Sequence, residues 1–319
     1  MAFAQRKQLA GLVTIDVEPD NVWADTHSQQ YENIRRLPLF HDLCRDYQIR
    51  PTYLVSWSIA SNAVCVGILE GLLRLGDCEI GIHPHLWETP PFTDKDGTNR
   101  ATVGPDYSED ILQEKIASLV DLISQRFGQP SSHRAGRWGI DPRQVHILTD
   151  LGIRVDSSVI PGIDWSSTGI LDHSRAPLEP YFIGDNDIFA RAASGLLEVP
   201  CTIKPGFRLL GLERNRYVAK LIAKVGHGSQ WLRATPRTTT RQMIQTCQWV
   251  AQHTGHLNLM SHSSELMANG SPYWKTEADI VHHFSLYREL FRWWRQHDVE
   301  PMTLSEFATT HDVATRAQS

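Results

Sequence analysis

The sequence predicts an α/β protein: a parallel sheet, open or closed as a barrel, alternating with helices in one domain that carries insertions. Three observations predict it. Short β-branched apolar runs recur with helix-period stretches between them, no internal repeat interrupts the series, and 319 residues are enough to bury a full core.

LVTID (12–16) is the first strand and ends in acids, and NIRRLPLFHDLCRDY (33–47) follows with helical spacing in spite of Pro38. PTYLV (51–55) reads as a strand, WSIASNAVCVGILEGLLRLG (57–76) as a helix closed by Gly76, and CEIGIH (78–83) as the third strand. SEDILQEKIASLVDLISQRFG (108–128) is the clearest amphipathic helix, with Ser108 as N-cap and Gly128 as C-cap. SSHRAGRWG opens the next unit, DPRQVHILTDLG (141–152) is a short helix, and IRVDSSV (153–159) is the strand after it. The series closes with LLEVPCTI (196–203), a helix near 238–254, the strand HLNLMSH (256–262), the helix EADIVHHFSLYRELFRWWRQH (277–297) and VEPMTLSEFA (299–308). Residues 88–107, 160–195 and 204–237 lack a clear period and read as insertions, where such scaffolds carry substrate choice.

A net charge of -5 with mixed signs offers no basic stripe, which argues against a nucleic-acid partner. No stretch approaches the roughly 20 apolar residues of a membrane helix, and MAFAQRKQLAGLVTIDVE shows no signal-peptide pattern, so a cytoplasmic location is expected. The five cysteines contain no CxxC pair and read as buried free thiols.

In parallel α/β sheets functional groups gather at the carboxyl ends of the strands. Asp16 and Glu18 end the first strand, His83 and His85 the third, Arg134 lies on the short fourth, Asp156 at the fifth, and His262 ends a late one. Residues two apart in an extended segment point the same way, about 7 Å apart at Cα, so His83 and His85 can converge on one cation while Asp16 and Glu18 share a face. Two imidazoles and a carboxylate around an open position suit Zn²⁺ and similar ions.

Taken singly, each feature has a plainer account. The histidines are also what a solvated loop would carry, the acids of TIDVEPDN are also turn or helix-cap residues, and Arg134 with Asp156 would make a structural ion pair. Their joint placement at the ends of five strands is what favours a site.

Five stretches, TIDVE (14–18), EIGIHPHLW (79–87), HRAGRWGID (133–141), LGIRVDSSV (151–159) and LNLMSHSSEL (257–266), resemble in order the motifs of the polysaccharide deacetylases, the NodB-homology fold of carbohydrate esterase family four. EFATT after PMTLS (301–310) resembles their closing segment. The resemblance implies a distorted parallel (β/α) barrel of about seven strands, formed by residues 1–319 as one catalytic domain. It implies removal of an acetyl group from a sugar with one divalent metal, zinc above iron, cobalt, manganese or nickel.

The roles it implies are Asp16 as general base, Glu18, His83 and His85 as metal ligands, Arg134 orienting the base, and His262 as general acid tuned by Asp156. Two departures stand out. The family's opening acids are adjacent, as in TFDDG, whereas here one residue separates them, which leaves open which acid binds metal. Its second motif spaces the histidines four apart, and here Trp87 stands four after His83, leaving His85 as the substitute.

Trp87, Trp138 and Tyr273, with Trp57 and Trp165, lie in or beside these loops, where aromatic faces suit pyranose rings and core packing is the competing use. The basic stretch FRLLGLERNRYVAKLIAKVGHG in the third insertion suggests either a nucleotide- or lipid-linked sugar or a solvated helix face, and a cytoplasmic protein would act on an intermediate of surface-polysaccharide assembly. Two other classes stay open: a metal amidohydrolase of the same fold acting on a non-sugar amide, and a non-catalytic glycan-binding or assembly protein.

Overall fold

The computed structural model describes residues 8–23, 30–96, 102–206 and 229–316. The basic stretch at 207–228 and part of the first insertion, 97–101, lie outside the described residues.

The chain begins with β1 (Ala10–Val17), all eight of whose residues are buried. A strand covered on both faces loses its polar alternation, which is why LVTID reads as a continuous apolar run until its acids. The elements that follow are α1 (Leu37–Asp46), β2 (Thr52–Val55), α2 (Trp57–Ala60), α3 (Ala63–Leu73), β3 (Glu79–Ile82), α4 (Glu109–Phe127), β4 (Ser132–His133), α5 (Pro142–Asp150) and β5 (Val155–Asp156). Then come β6 (Tyr181–Ile183), β7 (Arg191–Ala192), β8 (Leu197–Glu198), β9 (Ile203–Lys204), β10 (Gln230–Trp231), α6 (Thr240–His253), β11 (His256–His262), α7 (Glu277–Gln296), β12 (Glu300–Met302) and α8 (Leu304–Arg316).

The sheet runs β11-β1-β2-β3-β4-β5-β8-β6-β7, with β12 also on β1. From β11 to β8 every pairing is parallel, which makes seven strands, and β12 pairs parallel with β1 as an eighth, so the ten-stranded sheet slightly exceeds the number the resemblance implies. The mixed edge comes from the second insertion, which is not structureless: β6 and β7 form an antiparallel hairpin on β8. Beyond β8, the Thr202 N–H donates to Asn258 O at 3.2 Å, so this segment curls back towards β11 and narrows the opening.

Two expected elements are divided by residues within them. The stretch 57–76 breaks into α2 and α3 because the Asn62 side chain accepts from Val64 N and Cys65 N, capping a new helix. LLEVPCTI splits into β8 and β9 around Pro200, which has no N–H to give a ladder. Elsewhere the caps follow the sequence, with Gly128 at φ 92 closing α4 and Asp141 capping α5.

The sheet's two faces pack differently. Val13, Ile15 and Val17 join the large core beneath the helices, whereas Leu12, with Leu54, Val155, Leu197 and Val199, lines the barrel interior, where Leu304 and Ala308 of α8 plug its floor. Alternation along β1 therefore stacks Leu12, Thr14 and Asp16 upward inside the barrel, which delivers an acid to its mouth. Of the five free cysteines, four are buried and Cys78 is half-buried. No helix among the described residues is long and apolar enough to cross a membrane.

Gly81 sits where β3 and β4 pack closely, and a Cβ there would stand 2.1 Å from Ser132 Oγ and 2.8 Å from Leu54 Cδ2. Gly81→Ala is expected to cost about 2 kcal/mol or more in urea unfolding, whereas Gly67→Ala in α3, with nothing within 4 Å, should stabilise by about 0.5–1 kcal/mol.

Burial lowers the pKa of His256 and of His283 to about 4, so both stay neutral in the fold while the unfolded chain protonates near 6.5. As pH falls from about 6.5 to 4 the unfolded state gains protons first, so stability should drop, by up to roughly 3 kcal/mol per histidine. Urea midpoints across that range should show the slope, and His256→Asn should remove its share.

Candidate metal centre

Glu18, His83 and His85 form a buried cluster whose ligand atoms all lie within 4.8 Å of one another. Glu18 Oε2 is 3.4 Å from His85 Nε2 and 3.8 Å from His83 Nε2. Donors bound at about 2.1 Å to a tetrahedral ion stand about 3.4 Å apart, so the spacing suits one cation. Among the described residues Glu18 Oε1 is buried with no hydrogen-bond partner, an orphaned acceptor of the kind a cation satisfies.

His83 leaves β3 with its Nδ1 donating to the Arg134 carbonyl at 2.8 Å, which turns the Nε2 lone pair to the cluster. Gly136 allows this approach, because a Cβ there would meet Pro84 O at 2.7 Å and His85 Cδ2 at 2.8 Å. The next two residues, Arg137 and Trp138, both hold left-handed conformations at φ 54 and 62, uncommon for side-chain-bearing residues and typical of sites where function sets the backbone.

Burial opposes charge on Glu18, yet His262 and the contacts from His83 and His85 hold its carboxyl well below the usual range. Burial opposes charge on His85 too, but Glu18 and Glu88 outweigh it and raise its pKa to about 10.

Beneath the cluster, Asp16 is locked to Arg134, whose Nη1 donates to Asp16 Oδ1 at 2.7 Å. Both side chains are buried. Arg134 also donates from Nε to Ser157 O and from Nη2 to Thr14 Oγ1 and Ser157 Oγ, each at 2.8 Å, so four of the five N–H donors of this buried cation are bonded. Asp16 Oδ2 remains free of that pair and faces His83 Nε2 at 3.9 Å and His262 Nε2 at 3.8 Å.

His262 ends β11 in register with Asp16. Arg233 Nη2 donates to His262 Nδ1 at 3.2 Å, so the proton of the neutral ring sits on Nε2, towards Asp16 and Glu18 Oε1, the latter 3.9 Å away. Glu265 anchors Arg233 at 2.5 Å and accepts from Ser261 Oγ at 2.7 Å. Asp16, Glu18, Glu88 and Glu265 thus face two guanidiniums, Arg134 and Arg233, and with neutral imidazoles two negative charges remain, which a divalent cation would balance.

Solved structures share this architecture. A candidate polysaccharide deacetylase from Mycobacterium smegmatis superposes with TM-score 0.61 at 15% identity, over 100% of this chain and 93% of that one. The chain has the polysaccharide-deacetylase fold. A candidate glycoside hydrolase/deacetylase from Parabacteroides distasonis matches with TM-score 0.61 at 9% identity, over 96% of this chain and 72% of that one. A 4-alpha-glucanotransferase from Thermococcus litoralis matches with TM-score 0.57 at 14% identity, over 95% of this chain and 40% of that one. No family model and no curated protein matches the sequence. At these identities the likeness is one of fold, and the deacetylase fold hosts more than one activity on glycans.

Within the deacetylase fold, six of the seven polar groups at the strand ends come together, and Asp156 does not. Val155 faces the barrel interior, so Asp156 faces outward, where it bonds His133 Nδ1 at 2.6 Å and accepts from Ser158 Oγ at 2.6 Å. Burial and Asp156 together push the neighbouring Glu198 carboxyl well above its usual range, so it stays protonated. The carboxylate beside His262 is Glu265, with Oε2 3.9 Å from Nδ1.

Of the aromatic residues, Trp87 stacks on His85 at 4.4 Å and 20°. Trp138 lies 5.8 Å from Trp231, over the Arg134 guanidinium. Tyr273 packs on Arg233 and on Trp23, and Trp23 in turn meets His262 at 5.0 Å. Trp57 and Trp165 pack against apolar clusters.

Sequence reasoning did not find Glu88, Arg233, Glu265 or Trp23. Glu88 and Glu265 each stand three residues after a site histidine, a spacing that was there to be read, whereas Arg233 lies within the stretch 204–237, which has no periodic signal.

Arg134→Met should strand Asp16 in the interior and cost about 3–5 kcal/mol, and adding Asp16→Asn should recover part of the loss. A double-mutant cycle in urea reads the coupling.

Proposed function

We propose that the protein is a metal-dependent hydrolase that removes an acetyl or related acyl group from nitrogen or oxygen of a sugar or glycan intermediate, in surface-polysaccharide biosynthesis. The observation that carries this reading is the convergence of Glu18, His83 and His85 beside an oriented acid, Asp16, and an imidazole N–H, His262. The deacetylase fold is consistent with it.

Glu18, His83 and His85 would hold the ion, with zinc the best match to two imidazoles and a carboxylate, and iron, cobalt, manganese and nickel as alternatives. When bound, a divalent ion supplies Lewis-acid polarisation of the acyl carbonyl and lowers the pKa of water. Glu18 is the better ligand of the two acids, because its Oε1 lacks a partner while Asp16 is committed to Arg134.

Asp16 Oδ2 takes the proton from the attacking water, with Arg134 holding the carboxylate in place through Oδ1. His262, the most exposed of these groups at 12%, acts as the imidazolium: it gives its Nε2 proton to the leaving amine or alcohol and reverts to the neutral ring. Glu265 Oε2 stands 3.9 Å from Nδ1, beside the second N–H of that cation. Trp87, Trp138 and Tyr273 would contact the sugar.

His85 must shed its proton for the site to load, so ion affinity weakens as pH falls.

The purified protein should carry one divalent ion per chain by elemental analysis and release acetate from at least one member of a panel of N- and O-acetylated sugars, including nucleotide- and lipid-linked ones. His83→Ala should abolish the stoichiometric ion and lower acetate release by about 100-fold or more. Stoichiometric metal without acetate from any sugar would favour an amidohydrolase on other amides. Absence of bound metal, with His83→Ala unchanged, would defeat the enzymatic reading.

A further inference from the structure

We propose that Glu88 is the positioning carboxylate that makes His85 a metal ligand, replacing the orientation that the usual four-residue histidine spacing provides. The inference rests on the proposed metal site and concerns a residue outside its donor set. A histidine that binds a cation through one ring nitrogen is held by an acceptor on the other, and that outer acceptor fixes the tautomer and ring plane. His83 meets the requirement with the Arg134 carbonyl at 2.8 Å.

For His85 the position is different. Its Nδ1 is buried and no hydrogen bond reaches it among the described residues, yet Glu88 Oε1 stands 3.4 Å away. A small rotation of the imidazole aligns Nδ1–H with that oxygen and keeps Nε2 towards Glu18 Oε2.

The surroundings are built to hold Glu88 there. Its side chain is only 9% exposed, and Ser58 Oγ donates to Oε1 at 3.1 Å. The Glu88 N–H donates to the His85 carbonyl at 3.0 Å, and Thr89 Oγ1 donates to the same carbonyl at 2.8 Å. Lys115 on α4, fully buried, spends its ammonium on Leu86 O at 3.0 Å, Thr89 O at 2.7 Å and Asp96 Oδ2 at 3.0 Å, which clamps the turn from both sides. Trp87 covers the face of the His85 ring.

The ring is thus covered on one face by Trp87 and has a carboxylate oxygen 3.4 Å from each nitrogen. With Trp87 in the place four residues after His83, a ligand only two residues along the chain needs its ring turned by something outside the strand geometry, and Glu88 supplies the turn. Its charge is also one of the two negative charges left over at the site.

The test compares wild type, Glu88→Ala and Glu88→Gln after metal removal, titrating Zn²⁺ against a chromophoric chelator and recording the visible spectrum of the Co²⁺ form. The expected result is a 10- to 100-fold weaker Zn²⁺ dissociation constant for Glu88→Ala with an altered Co²⁺ spectrum, and partial recovery in Glu88→Gln, which keeps a neutral acceptor. A loop that merely packs less well would leave the Co²⁺ spectrum unchanged and show no recovery in Glu88→Gln. Wild-type affinity and spectrum in Glu88→Ala would overturn the role of Glu88 while leaving the metal site standing. A wild-type protein that binds neither ion would overturn the metal site, and this role with it.

Discussion

The buried ion pair between Arg134 and Asp16 is the interaction around which the upper half of the barrel is arranged. Neither charge is tolerable alone in that interior, so each element near it supplies a partner: Thr14 from β1, the Ser157 carbonyl and hydroxyl from just past β5, and the Arg134 carbonyl itself for His83. Arg134 also draws the 133–139 turn against the 83–85 turn, where Gly136 is the residue small enough for the contact. The pair therefore sets the distance between the acids of β1 and the histidines after β3.

Electrostatics then divides the two acids of TIDVE. Asp16 has one oxygen bonded to Arg134 and the other facing the cleft, while Glu18 sits among imidazoles with an oxygen that no group among the described residues satisfies. A buried acceptor without a partner is costly, and so is the excess of two carboxylates over guanidiniums that remains when the imidazoles are neutral. A second ion pair, Arg233 with Glu265, does for His262 what the Arg134 carbonyl does for His83, since each settles which ring nitrogen carries the proton.

A third buried polar group lies on the opposite face of the same strands. His133, Asp156 and Glu198 are all fully buried beneath the hairpin of the second insertion, with Glu198 kept protonated by its neighbour. They explain why HRAGRWG and RVDSS contribute to two different environments: alternate residues of β4 and β5 serve the barrel interior and the outer layer in turn.

The sequence by itself determined the alternation of strands and helices, a parallel sheet, and the side chains at four of the five strand ends that meet, because apolar periodicity and strand termini are local properties of the chain. A three-residue strand such as Tyr181–Ile183, by contrast, leaves no periodic trace. What only the tertiary structure decided was direction and partnership. Asp156 lies one residue from Ser157, and that single step of strand parity sends it away from His262 while Ser157 reaches Arg134. Glu265 and Arg233 meet from positions separated by no repeating interval, and the choice between Asp16 and Glu18 follows from where the guanidinium of a residue 118 positions away comes to rest. Such choices belong to packing, since a charge buried by long-range contacts takes whichever partner the fold brings within reach.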